Sequence, residues 1–287
     1  MRKRRFGDRY DGYKIKNDSS TAIAPHILKD RCDSQTFFDT EFDLAKVNLL
    51  IRQKRAQGIE ISLLDFILAA IVRTISQYPK INRFVAGRRL YARNTICLAL
   101  VIKKALNFAA HRTFVKLNFK PESTLNDINS ILHDMVNKNK GFETENEMDW
   151  FIKKLNHLPR ILYSALVNLL SWLDFHGMMP KFIEKICPFH SSVIITNMGS
   201  VGADPIYHNI CNWGTNSIFI AIGAKRKQHS INDNDDFREK RTIRLRITAD
   251  GRIADKTYLS ESIKYLANVF LNPELLEVPP KQVIEDY

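Results

Sequence analysis

The stretch Thr242 to Lys256 reads Thr-Ile-Arg-Leu-Arg-Ile-Thr-Ala-Asp-Gly-Arg-Ile-Ala-Asp-Lys, and it constrains the fold more than any other part of the chain. Ile243, Leu245 and Ile247 alternate with polar residues, the period of a strand with one face buried. The strand runs into the polar turn Asp250-Gly251-Arg252. Asp255 then stands just before a helical pattern of Leu259, Ile263, Leu266 and Phe270. A half-buried strand feeding directly into a helix commits the chain to a sheet with helices packed against it.

Other segments carry compatible patterns. Phe38 to Phe42 alternates as a strand, and Asp43 is placed to cap a helix carrying Leu44, Val47 and Ile51 and ending by Gly58. Ser62-Leu63-Leu64-Asp65 has the spacing of a capping box and opens a very apolar helix that runs through Ile75 and closes at Pro79. Thr95 to Ile102 and Thr113 to Phe119 read as strands, and a helix is expected from Glu122, with Leu125, Ile128, Leu132 and Met135 at helical spacing. Lys138 to Asn146 is a polar connection. Trp150 to Phe189 is the most apolar stretch, and its run from Leu158 to Leu173 is too short and interrupted to span a bilayer. A buried helix hairpin is the plain expectation for it, with an interfacial helix or the wall of an apolar tunnel as the functional alternative. Ser192 to Thr196 is an apolar strand leading into Asn197-Met198-Gly199, and Ser217 to Gly223 is another. Lys225 to Lys240 is expected to be a polar surface loop. Residues 1 to about 35 look weakly structured, and the tail from Pro279 is expected to be ordered only by contact.

The order of these pieces resembles the catalytic domain of the 2-oxoacid dehydrogenase acyltransferases, which shares its fold with chloramphenicol acetyltransferase. The family strand ends in Asp-His-Arg-x-x-Asp-Gly; here the chain has Asp250-Gly251-Arg252-Ile253-Ala254-Asp255-Lys256. Ala22-Ile23-Ala24 resembles the opening of that domain, and Thr196-Asn197-x-Gly199 its Ser-Asn-x-Gly. The resemblance implies an α/β fold, a two-layer sandwich with a central mixed sheet flanked by helices. It divides the chain into a basic N-terminus (1–19), an acyltransferase-like domain (20–272) containing a branch-specific apolar helical region (138–190), and a C-terminal tail (273–287). It also implies a homotrimer with the active-site channel between neighbouring subunits, and coenzyme A or an acyl-coenzyme A as ligand.

By the same resemblance, Thr196 supplies the hydroxyl that meets the oxyanion, Asp255 is the carboxylate that orients the site through an ion pair, and Gly251 occupies the position of the catalytic histidine. Glycine cannot accept a proton, and a positioned general base is worth roughly 10²- to 10⁴-fold in rate. The arginine that pairs with the family's carboxylate aligns with Ser20. The expectation is therefore a degenerate acyltransferase, catalytically impaired or repurposed. An active acyltransferase using a non-standard base is the alternative, with His190 and His208 the histidines nearest by topology.

Composition narrows the partners. A net charge of +12 favours something anionic, such as a phosphorylated donor, an acyl carrier or an acidic membrane surface. Arg2 to Arg5 form the one dense basic cluster, and no nucleic-acid-binding signature accompanies it. A membrane-surface protein is the third alternative. Cys32, Cys97, Cys187 and Cys211 have neither metal-ligand nor redox spacing, which fits free thiols in the cytoplasm and no bound metal.

Overall fold

The alternation that opens the sequence argument becomes the second strand of a six-stranded sheet. The structure is a computed structural model, and it describes residues 7–15, 19–103, 112–138, 147–231 and 237–286. Strands β2 (Gln35–Asp43), β5 (Ile96–Lys103), β6 (Arg112–Phe119), β7 (Val193–Asn197), β8 (Ile218–Ile231) and β9 (Phe237–Asp250) assemble in the order β2-β9-β8-β7-β5-β6. The β5–β7 and β7–β8 pairs are parallel and the rest antiparallel. A small sheet, β1-β4-β3, joins β1 (Gly12–Lys14), β3 (Arg83–Ala86) and β4 (Arg89–Arg93).

Register sorts the side chains onto two faces, because successive residues of a strand point opposite ways. Phe38, Ile247, Ile220, Ile195, Leu100 and Val115 form one row across all six strands. They pack under α3 (Leu63–Gln77) and α8 (Lys256–Leu271), with α2 (Ala45–Ala56) and α4 (Leu125–Lys138) completing the cover. The opposite row is Phe37, Thr248, Phe219, Ile194, Ala99 and Lys116, and polar groups gather there.

The helix boundaries follow local chemistry. Ser62 and Asp65 form the expected reciprocal capping box on α3. Asp43 accepts from the Ala45 amide at 2.8 Å, with α2 starting at Ala45. Helix α4 begins at Leu125, three residues after Glu122, because Thr124 and Asp127 bond each other's amides and fix the start there.

Three expectations need correction. The N-terminal segment is not weakly structured throughout: β1 pairs with β4, Ser19–Ile27 forms helix α1, and Arg9 is buried. The Lys225 to Lys240 stretch is mostly a continuation of β8 and β9 as a long hairpin, with 232–236 outside the described residues. The apolar region is not a buried hairpin. It forms α5 (Glu147–Leu155), α6 (Arg160–Phe175) and α7 (Lys181–Ile186), and much of its apolar surface is exposed. Among the described residues, Leu170, Met179, Ile183 and Cys187 make a small buried cluster there. Most of the 138–146 connection lies outside the described residues. The C-terminal tail is ordered by contact: Asp286 pairs with Arg83 at 2.6 Å, its carbonyl accepts from the Tyr13 hydroxyl, and the Ile284 amide donates to Ser76 O.

Candidate functional site

The strand end singled out by the sequence is a charged knot. Asp250 is fully buried. Arg252 grips it with two bonds, Nε to Oδ1 at 2.9 Å and Nη2 to Oδ2 at 2.7 Å. The Ser34 hydroxyl donates to Asp250 Oδ1 at 2.9 Å, and Arg31 Nε stands 4.0 Å from Oδ2. The two guanidinium groups then bond carbonyls of Leu28 and Lys29, and of Val85 and Asn212. Burial pulls the Arg31 pKa down to about 10, Asp250 opposing the fall and Arg252 adding to it. These contacts tie α1, β2 and the loop after β7 to the end of β9.

Gly251 sits inside this knot. Its amide donates to Ser34 O at 2.7 Å, and a Cβ built there would lie 2.9 Å from that carbonyl and 3.1 Å from Thr36 Oγ1. The glycine therefore serves a close backbone approach. A histidine at this position would have to displace the start of β2.

Asp255 stands apart. Its exposed carboxylate caps α8, accepting from the Tyr258 amide at 2.8 Å. The Ser20 side chain lies outside the described residues. The arginine that approaches this region is Arg31, and it faces Asp250.

Thr196 is half-buried near the other end of the sheet. It pairs with Ala221, and Ala221 with Arg246. Gly251 lies five residues further along β9, about 16 Å away at the strand rise per residue. One chain does not bring the two positions together. Beyond Thr196, Asn197, Gly199 and Ser200 border a recess of about 420 Å³ with Leu63, Leu64 and Gly223. His208 stacks on Phe219, ring centroids 4.3 Å apart.

A larger cleft, about 840 Å³, opens where the N-terminal segment, β5, β6 and α7 meet. Arg9 bonds Asp11 at 3.0 Å and Asp174 at 2.7 Å; Arg93 bonds Thr215 and lies 3.6 Å from Asp11. The Lys116 ammonium donates to three carbonyls, those of Glu184, Cys187 and His190. His190 Nε2 lies 3.3 Å from Asp174 Oδ1, and the Trp213 indole donates to Cys187 Sγ at 3.4 Å.

Burial opposes charge throughout this group; pairing overcomes it at His190, Asp174 and Cys187, and burial prevails at Glu184, Arg93 and Lys116. Burial works against protonated His190, but Asp174 and Cys187 outweigh it and raise its pKa to about 9. Against the same desolvation, His190 and Arg9 hold Asp174 down to about 2. His190 likewise outweighs burial at Cys187, whose thiol is lowered. Burial followed by the Asp11 charge lifts Glu184 to about 7. Asp174 and Cys187 thus favour the protonated form of His190, in which it serves as their counter-ion. The cleft is net positive, with Arg9, Arg93, Lys116, Lys181, Lys185 and His190 against Asp8, Asp11, Asp174 and Glu184. Sequence reasoning named His190 for its place in the chain and missed the others. The signal available was Asp174, the one acid in a sixteen-residue helix rich in apolar residues.

A mixed six-stranded sheet with helices layered on one face is the chloramphenicol acetyltransferase-like α/β fold, and solved structures agree. The chain is similar to a probable dihydrolipoamide acetyltransferase from Listeria monocytogenes, with a TM-score of 0.54 at 13% identity over 93% of this chain and 95% of that one. The dihydrolipoamide acetyltransferase of Azotobacter vinelandii gives 0.53 at 10% identity over 92% and 94%. A chloramphenicol acetyltransferase gives 0.53 at 11% identity over 91% and 99%. No family model and no curated protein matches the chain. Identities this low establish the fold and leave the chemistry to the residues.

Proposed function

We propose that this protein is an acyltransferase-fold domain that has given up histidine-base chemistry and is kept as a binding or assembly module in the cytoplasm. The observation that carries this is the space at Gly251, which Ser34 O and Thr36 Oγ1 fill. A base that had merely been deleted would leave a hole. Here the backbone has closed in, and Asp250 and Arg252 are committed to holding the turn. The positive 840 Å³ cleft suits a phosphorylated ligand of the coenzyme A or acyl-carrier type. By analogy with the resembled family, the chain assembles as a homotrimer, with Thr196 of one copy facing the β9 end of the next.

Acetyl transfer from acetyl-coenzyme A to a dithiol acceptor tests this reading. The expected result is no turnover above the uncatalysed rate. Robust turnover that disappears in Thr196→Ala would overturn it. Light scattering tests the assembly, and a clean monomer would remove the trimer.

The alternative, an active acyltransferase with a non-standard base, draws on His190 beside Asp174 in the cleft. With its pKa near 9, His190 would accept a proton only in alkaline solution, so such an activity would rise through about pH 9. A transfer activity that peaks at neutral pH and survives His190→Gln would exclude His190 as that base.

A further inference from the structure

We infer that the outer side of α6, with the neighbouring ends of α5 and α7, lies flat on an anionic lipid surface. Helices of a soluble surface carry polar and charged residues on the side facing water. Helix α6 does not. Ile161 is 83% exposed, Leu162 55%, Leu169 52% and Trp172 53%, and Phe175 is also exposed. Positions 161, 165, 169 and 172 follow the helical repeat, so these side chains form one stripe. From Ile161 to Phe175 the only charged residue is Asp174, and it is buried against Arg9. Trp150, Met178 and Phe182 extend the apolar surface onto the flanking segments.

Charge identifies what covers the stripe. Between 150 and 189, every exposed Lys, Arg, Asp or Glu is a cation: Lys153, Lys154, Arg160, Lys181 and Lys185. The two acids, Asp174 and Glu184, are both buried. A second copy of the chain meeting this face by twofold symmetry would set those five cations against themselves. An acidic lipid surface would attract all of them while the apolar side chains enter the acyl boundary. Tryptophan suits that boundary, and Lys154 already sits over the Trp150 ring at 4.6 Å. The geometry is that of a helix lying in the plane. Sixteen residues reach about 24 Å, short of the roughly 30 Å hydrocarbon core. No helix among the described residues is long and apolar enough to cross a membrane.

The test is co-sedimentation of the full chain with phosphatidylcholine vesicles, with and without phosphatidylglycerol. Binding is expected only to the anionic vesicles, weakening as salt is added and accompanied by a blue shift of tryptophan emission. The double variant Leu169→Glu, Trp172→Glu alters exposed side chains only. It should keep its circular dichroism spectrum and lose roughly tenfold or more in vesicle affinity. Failure of the unaltered protein to bind anionic vesicles would overturn the inference, as would undiminished binding by the variant. A light-scattering mass that falls in the variant, without vesicle binding by the parent, would assign the stripe to a second copy instead.

Discussion

The two faces of the six-stranded sheet solve burial in opposite ways. Under α3 and α8 the rows are aliphatic and aromatic, and Phe66, Leu68, Leu98 and Phe270 are almost completely enclosed. Across the sheet, and along its end at Asp250, the interior is a belt of charges: Arg252 with Asp250, Arg31 beside it, then Arg9 with Asp174 and His190, and Arg93 with Asp11. An apolar core accepts any side chain of the right volume and shape. A buried charge accepts only its partner, since each unpaired ion retains its desolvation cost. The helix side therefore supplies bulk stability, and the charged side dictates which loops sit where.

Removing a partner breaks this contrast most severely. Asp250→Ala leaves Arg31 and Arg252 without their shared carboxylate and should cost about 3–5 kcal/mol, measured by urea unfolding. A loss below about 1 kcal/mol would mean that the belt is not holding the turn.

Alkaline titration sharpens it next. The His190 pKa is raised, so its contribution is complete below the ordinary histidine value and is lost as pH rises through about 9. A shift of this size corresponds to about 3 kcal/mol. The thermal midpoint should fall between about pH 6.5 and 9, and His190→Gln should flatten that fall. The Asp174 carboxylate has the opposite sign: its contribution is present above the ordinary aspartate value and is lost as pH drops toward about 2.

The smallest expected effect is at Gly251. Gly251→His must push against Ser34 O, so it should lower stability by about 1–3 kcal/mol, read by urea unfolding, and bring no transfer activity. Gained turnover would show an open channel that lacked only its imidazole.

What could be read in the sequence was what is local. The alternation in Thr242–Thr248 and the Ser62–Asp65 box each declare an element from within a few residues. The charged belt could not be read that way, since Arg9 and Asp174 are 165 residues apart and Ser34 and Asp250 are 216 apart. The Gly251 substitution was visible, but its physical cause, a neighbouring carbonyl 2.9 Å from where a Cβ would be, exists only in three dimensions. The 150–189 region misled because its apolar content suggested burial, whereas one helical side of it faces outward.

The bond from Tyr13 to Asp286 ties the first strand, β1, to the last of the described residues. A fluorophore pair placed beside these two residues would therefore report separation of β1 from the C-terminal segment.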